Sequence, residues 1–254
     1  MDNSTYAQQI LQEIFARKTL RDDAGNEFNL DSNVDKEEGA FLQKLIKESL
    51  PKATIEIGCA YGISSLFICD AISETAQHTI VDPFQTTQWK NVGIAQLRKA
   101  GFTNFRLIEK KSEIALPELL AADSKFDFAF VDGWHTFDHT LLDMFYLNRM
   151  LRVGGLLVID DVGMKAVQKA LNYFLNYPAY QFHDGVSLLN TTKRNAFSKL
   201  LINPLRHIAA VIPKKIREEI FSPAVLKKSI EGYSMVALKK IKEDERAWNW
   251  FENF

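Results

Sequence analysis

The chain has little cysteine, no excess charge of either sign and no long hydrophobic run, and each shortage removes a class of protein. Two cysteines in 254 residues cannot staple a small secreted scaffold. Cys59 and Cys69 fall in an expected turn and in the helix behind it, which suits a reducing, cytoplasmic setting. A formal net charge of −1 gives no overall attraction for nucleic acid. Apolar runs stop well short of the ~18 residues of a membrane span. The first ten residues lack a basic segment leading into an apolar core, so a soluble protein without a secretory leader is expected. What is present is a 46% hydrophobic composition at a length that can bury one full core.

Strand and helix patterns alternate from about residue 51 to residue 183, the mark of a parallel sheet covered on both faces. Strands are expected over 53–58, 78–82, 105–110, 126–132, 155–160 and 180–183, and helices over 63–73, 87–100, 113–122, 136–151 and 165–175. Right-handed crossovers then put the C-terminal ends of the parallel strands along one edge. Two amphipathic helices, 6–21 and 37–49, joined by a polar stretch, form a cap before the sheet. Three of the seven prolines, Pro204, Pro213 and Pro223, break 190–232 into short apolar and basic runs. A last strand over 234–241, reached by that long connection, suits an antiparallel insertion and makes seven strands. The expected organisation is one α/β domain over 1–254: cap 1–50, core 51–189, helical insertion 190–232, closing strand and aromatic tail 233–254.

The most informative segment is Ala53-Thr-Ile-Glu-Ile-Gly-Cys-Ala-Tyr-Gly-Ile-Ser-Ser-Leu66. An apolar run ends at Gly58, three residues pass, and Gly62 opens a helical pattern, as where a parallel strand turns into a helix around a nucleotide-like ligand. Both glycines would let a cofactor approach the backbone, and the helix start would aim free N–H groups at it. A pyrophosphate fingerprint needs G-x-G-x-x-G, whereas Cys59 and Ala60 follow Gly58 here.

The E-x-G-x-x-x-G spacing resembles the first motif of class I S-adenosylmethionine-dependent methyltransferases, and further segments resemble that family in the expected order over 37–185 and 234–241. The resemblance implies a Rossmann-like, doubly wound, mostly parallel sheet. It implies S-adenosylmethionine as cofactor, held at Glu56, Gly58, Cys59, Ala60, Tyr61, Gly62, Asp82, Pro83, Ser112 and Asp132. Asp82 ends the second core strand, where the family holds the ribose hydroxyls. Ser112 stands where the family places residues near the adenine. A capping role for Ser112 and a buried anchoring role for Glu56 stay open.

Phe126-Asp-Phe-Ala-Phe-Val-Asp-Gly-Trp-His135 and Gly154-Gly-Leu-Leu-Val-Ile-Asp-Asp161 each carry an apolar strand outward into aspartate. Three carboxylates in one small space repel by about 4 kcal/mol per pair at ~4 Å, so the cluster should take up a cation or a proton. Oxygen ligands favour a hard divalent ion, Mg2+ or Mn2+. The arrangement resembles catechol-type and natural-product O-methyltransferases, which implies Asp132, Asp160 and Asp161 as metal ligands. His135 stands where plant and animal members carry lysine. With an ordinary pKa of ~6.5 it could accept the proton of an acceptor hydroxyl, so Asp132 and His135 are the candidate catalytic pair. Helix capping remains the alternative for His135, for Asp160 and for Asp161. Trp134 either walls the acceptor pocket or packs, and His139 reads by default as an ordinary surface or packed histidine.

The expectation is thus methyl transfer to a hydroxyl of a small-molecule or glycosylated acceptor. An NAD(P)-dependent oxidoreductase and a non-catalytic cofactor-binding protein are the alternatives. Within 193–228 lie nine Lys/Arg against two Asp/Glu. That segment is expected to act as a substrate lid or homodimer arm, with peripheral membrane contact as the rival. The tail Trp248-Asn-Trp-Phe-Glu-Asn-Phe254 is expected to dock on its own sheet or on another subunit.

Overall fold

A computed structural model describes residues 3–22, 24–31, 33–187, 230 and 232–252. In chain order the elements are α1 (Asn3–Arg17), β1 (Thr19–Arg21), β2 (Glu27–Asn29), α2 (Lys36–Ser49), β3 (Ala53–Ile57), α3 (Ile63–Ala71), β4 (Gln77–Val81) and α4 (Val92–Lys99). There follow β5 (Phe105–Ile108), α5 (Ser112–Ala121), β6 (Phe126–Val131), α6 (Phe137–Met150), β7 (Leu151–Ile159), α7 (Lys165–Phe174), β8 (Tyr180–Ser187) and β9 (Tyr233–Lys240).

The main sheet has seven strands in the order β5-β4-β3-β6-β7-β9-β8. The first five are parallel, and β9 runs antiparallel between β7 and β8, as the expected late insertion requires. Because β3 pairs with both β4 and β6, the chain reverses its winding direction there. A crevice opens at such a switch point, beyond the strand C-termini.

Apolar residues on both faces of the sheet hold it between two layers. Ile10, Leu42, Leu66 and Ile94 of α1 to α4 pack with Ile80, Phe128 and Phe130 on one side. Leu116, Met144 and Leu171 of α5 to α7 pack with Ile55, Ala129 and Leu157 on the other. Helix α2 starts where the sequence places it, because Asp35 and Glu38 close a reciprocal capping box.

Several boundaries move. The first cap helix, expected over 6–21, ends at Arg17, and a short hairpin of β1 and β2 follows it, with Asp22 accepting from the backbone N–H groups of Ala24 and Asn26. Helix α4 begins at Val92 instead of residue 87, because turns fill 84–91 and Lys90 and Asn91 adopt positive φ. Strand β7 begins at Leu151, and β8 continues to Ser187 along its partner β9. Apart from Ile230 and Gly232, the expected insertion over 190–232 lies outside the described residues.

Of the tail, Trp250 packs against Tyr173 of α7 and Tyr177 beyond it, while Trp248 and Phe251 are exposed. The guanidinium of Arg246 lies 3.2 Å from the ring centroid of Tyr177 and 4.6 Å from that of Trp250, and Asp244 holds it at 2.6 and 2.7 Å. Asn148 of α6 donates to Asp244 at 2.7 Å, which ties the tail to the α6 side. Among the described residues no helix is long and apolar enough to cross a membrane.

Candidate functional site

A cavity of about 860 Å3 opens at the switch point, large enough for a nucleoside cofactor and a second small molecule together. Its floor is the turn after β3. Gly58 takes φ +88 and Ala60 φ +46, and Gly62, at φ +79, is the N-cap of α3 without a side-chain cap. The first backbone N–H groups of α3 therefore have no intrahelical partner, and Ile63 and Ser64 face the cavity.

Protein packing by itself requires glycine at both positions, and Gly58 also lines the cavity. A Cβ on Gly58 would come 2.0 Å from the carbonyl oxygen of Asp132, and one on Gly62 would come 2.7 Å from Cα of Gly93 in α4. The first absence lets the end of β6 close against the turn. The second lets α4 close against the start of α3.

Asp82, directly after β4, is the clamp of this turn. Its Oδ2 accepts from the backbone N–H of Cys59 at 3.0 Å and Ala60 at 2.9 Å and from Nε2 of Gln85 at 3.1 Å. Its Oδ1 accepts from Phe84 N–H at 2.8 Å. A carboxylate oxygen accepts about two bonds comfortably, so Oδ2 is saturated and Oδ1 alone has capacity for a ligand hydroxyl.

Of the residues expected to hold the cofactor, Gly58, Cys59, Ala60, Asp82, Pro83, Ser112 and Asp132 line the cavity. Glu56, Tyr61 and Gly62 do not. Glu56 is fully buried in β3, where it accepts from the Ser65 hydroxyl and pairs with His78 Nε2 at 3.2 Å; His78 Nδ1 meets Thr54 Oγ1 at 2.8 Å. This is the anchoring role left open above. Tyr61 turns away to pack edge-on against Trp89, with ring centroids 5.0 Å apart.

The acidic cluster lines the same cavity. Asp132 follows β6, and its backbone N–H donates to Ile57 O at 2.9 Å, so the strand ends of β3 and β6 fix its place. Asp160 and Asp161 follow β7. His135 Nε2 lies 3.2 Å from Asp132 Oδ1 and 3.0 Å from Asp161 Oδ2. Those three side chains bring ligand-capable atoms within 4.8 Å of one another. Asp160 stands beside them, 7% exposed, its Oδ1 accepting from the Asp161 N–H at 2.9 Å. Hence the geometry gathers Asp132, His135 and Asp161, whereas the sequence gathers Asp132, Asp160 and Asp161. Asp161 itself is held at φ +53, a conformation that favours glycine.

Burial raises the Asp132 carboxyl to about 6, against the opposing effect of the His135 hydrogen bond. The same hydrogen bond raises His135 above its ordinary value, with burial acting against it. Asp160 is pushed well above the carboxylate range by burial, then by the charges of Asp132 and Glu38. The cluster thus holds more negative charge than its burial tolerates, which is the condition of a site that accepts a cation or a proton. Two carboxylates and an imidazole fit a divalent metal, and the imidazole moves the preference from Mg2+ toward Mn2+.

Several lining residues were not singled out from the sequence. Asn33, Val34 and Glu38 come from the cap, Phe84, Gln88 and Trp89 from the turns before α4, and Met164 from the start of α7. Only Glu38 had a usable signal, because Asp35-Lys-Glu-Glu38 reads as a capping box and fixes which way α2 faces. Trp134, 61% exposed, lines the cavity mouth instead of packing inside, and Met164 is 48% exposed there.

Comparison with known proteins bears on this site. A family described as a methyltransferase domain matches residues 55–162. A provisionally named caffeoyl-CoA O-methyltransferase of Arabidopsis thaliana is 31% identical over 166 residues, covering 63% of this chain and 67% of that protein. The caffeoyl-CoA O-methyltransferase of Populus kitakamiensis is 30% identical over 134 residues, covering 51% of this chain and 54% of that protein. Among solved structures, an O-methyltransferase of Bacillus cereus in complex with SAH superposes with a TM-score of 0.60 at 13% identity, covering 93% of this chain and 91% of that one.

Proposed function

The chain belongs to the class I S-adenosylmethionine-dependent O-methyltransferases, and from that premise we propose that it methylates a hydroxyl of a small-molecule acceptor beside Asp132, His135 and Asp161 with a divalent cation assisting. Membership removes the dinucleotide-dependent oxidoreductase from consideration. The observation that carries the proposal is the shared cavity: the glycine turn and the acidic cluster both line it, and the missing Cβ of Gly58 brings their backbones together.

S-Adenosylmethionine supplies a methyl group on a positively charged sulfur, which an electron-rich oxygen displaces in line. The free N–H groups at the start of α3 suit the carboxylate of its methionine part. Asp82 keeps the turn in shape through Oδ2 and offers Oδ1 to a ribose hydroxyl. Asp132, Asp161 and a third donor, His135 or Asp160, would hold the cation, which would lower the pKa of an acceptor hydroxyl. Trp134 and Met164 give the acceptor an apolar rim at the cavity mouth.

A second reading draws on the two carboxylates that flank one imidazole nitrogen. In it His135 takes the hydroxyl proton without a metal. Its Nε2–H is anchored on Asp132 and Asp161, and Nδ1 is left as the accepting atom.

One experiment separates the readings. Methyl transfer from labelled S-adenosylmethionine is measured across a panel of catechols, flavonoids and hydroxycinnamoyl thioesters, with EDTA-treated protein and after return of Mn2+ or Mg2+. Loss with EDTA and recovery with Mn2+ supports the cation. Full activity in EDTA supports His135 acting with the carboxylates alone. No transfer to any hydroxyl under either condition counts against both.

A further inference from the structure

Gln85 is a buried amide with two acceptors and one idle oxygen. It sits three residues beyond Asp82, in the turns before α4, and is fully buried. Its Nε2 donates to the carbonyl oxygen of Ala60 at 2.8 Å, in the turn after β3, and to Asp82 Oδ2 at 3.1 Å, after β4. Its Oε1 has no hydrogen-bond partner among the described residues. Its backbone carbonyl accepts from the N–H of Asn91, the N-cap of α4, at 2.6 Å, which fixes the turn that carries it. Ala60 and Asp82 line the cavity, while Gln85 stands behind them.

Burying an amide oxygen without a donor is costly, and a methionine of similar length would fill the space without that cost. What glutamine alone adds is a pair of N–H groups. One holds the carbonyl of Ala60, a residue kept at φ +46 whose own N–H donates to Asp82 Oδ2 at 2.9 Å. The other gives Oδ2 its third donor, after the backbone N–H groups of Cys59 and Ala60. The Asp82 carboxylate is therefore gripped from the glycine turn and from the turn before α4 at once. Only Oδ1, which accepts from Phe84 N–H at 2.8 Å, keeps a lone pair to offer.

We propose that Gln85 is a positioning residue of the cofactor site: held between the Ala60 carbonyl and Asp82 Oδ2, it locks the Asp82 carboxylate so that Oδ1 meets a ribose hydroxyl in one direction. The proposal rests on the reading of this cavity as an S-adenosylmethionine site. Gln85 touches no ligand and acts through Asp82. Without its amide the carboxylate is held through Oδ2 from the glycine turn alone, and part of the binding energy of the ribose goes into aligning it. The fold loses little, because the Ala60 carbonyl that is released belongs to a part-buried residue at the cavity, where water replaces the lost donor.

The test is calorimetric titration of S-adenosylhomocysteine, and of its analogue lacking both ribose hydroxyls, into the full chain, for the unaltered protein and for Gln85→Met, with thermal melting of both proteins. The ratio of the two affinities reads the ribose contact alone. The unaltered protein should prefer S-adenosylhomocysteine by about tenfold or more, the worth of a hydrogen bond to a carboxylate. Gln85→Met should reduce that preference to about threefold or less, while it binds the analogue and melts much as the unaltered protein does. A lower melting temperature with both ligands weakened by one factor and the preference intact overturns the proposal in favour of packing. Unchanged affinity for both ligands overturns it as well. If Gln85→Met fails to fold, Gln85→Asn serves, since its amide is too short to reach both acceptors. Its preference should also fall, and a preference equal to that of the unaltered protein overturns the proposal. Equal binding of the two ligands by the unaltered protein takes the ribose away from Asp82 and the proposal with it. Absence of any binding by the unaltered protein overturns instead the reading of the site on which the proposal stands.

Discussion

A Cβ on Gly58 would lie 2.0 Å from the carbonyl oxygen of Asp132, so the end of β3 and the end of β6 are closer than any other residue type at position 58 allows. Gly58→Ala must move one strand end away from the other, and it must also hold alanine at φ +88. Gly154 supplies the control, because it has φ +92 but nothing within 4 Å of an added Cβ. Gly154→Ala should cost only the backbone strain, about 1 kcal/mol. Gly58→Ala should cost several times as much in thermal unfolding and weaken S-adenosylhomocysteine at least tenfold. Equal losses of stability and binding in the two variants would contradict this account.

The legibility of the chain differs from layer to layer. Strand identity was readable for β3, β4, β6 and β7, which bury both faces and run into Gly58, Asp82, Asp132 and Asp160, whereas β5 carries Arg106 and runs into Glu109. The antiparallel insertion of the last strand was readable from the long connection before it, while its neighbours β7 and β8 come from the structure. The placement of Asp82, Asp132 and Asp160 beside the cavity was readable, because each directly follows a strand. The site was not readable at Glu56, whose partners Ser65 and His78 come from α3 and β4, nor at Tyr61, whose orientation Trp89 decides. Asn33, Val34, Phe84, Gln88 and Trp89 were missed because irregular turns deliver them, and turns leave no periodicity.

Glu56 gives a prediction that separates anchor from ligand. Its carboxylate holds Ser65 and His78 in a fully buried group, so Glu56→Ala leaves two polar side chains without their partner. Removing one member of a buried pair costs about 3–5 kcal/mol. Glu56→Gln can still accept from Ser65 and should recover part of that stability. Chemical denaturation of both variants decides it, and a stability of Glu56→Ala equal to that of the unaltered protein would discard the anchoring role.

The tail should contribute to stability through Arg246. Its guanidinium sits on Tyr177 at 3.2 Å and Trp250 at 4.6 Å while Asp244 neutralises it. Arg246→Ala removes both contacts and should lose about 1–2 kcal/mol. Arg246→Lys keeps the charge without the flat, stacking group and should recover less than half of the loss. Thermal melting of the two variants is the measurement, and full recovery by lysine would assign the effect to the ion pair alone.

His135 gives the prediction with the clearest sign in pH. Its bond to Asp132 raises its folded pKa above the ordinary value of 6.5, so that bond contributes stability below 6.5 and the contribution disappears as pH rises through the folded pKa. Asp132 runs the other way: raised by burial to about 6 from 3.8, it weakens the fold as pH climbs between those two values. Catalysis needs the imidazole neutral, whether it takes a proton or joins a cation. Where His135 acts without a cation, the rate at saturating S-adenosylmethionine should therefore rise with pH and level off above a midpoint higher than 6.5, whereas a bound cation competes with the proton and moves that midpoint down. A general base contributes about 10²–10⁴-fold, so His135→Ala should be slower by that order and should lose this limb of the profile. Its affinity for S-adenosylhomocysteine should change little, because the hydrogen bonds of Asp82 that shape the glycine turn do not involve His135. A variant that keeps both its rate and its pH midpoint would remove His135 from the reaction and leave the carboxylates as the groups that act on the acceptor.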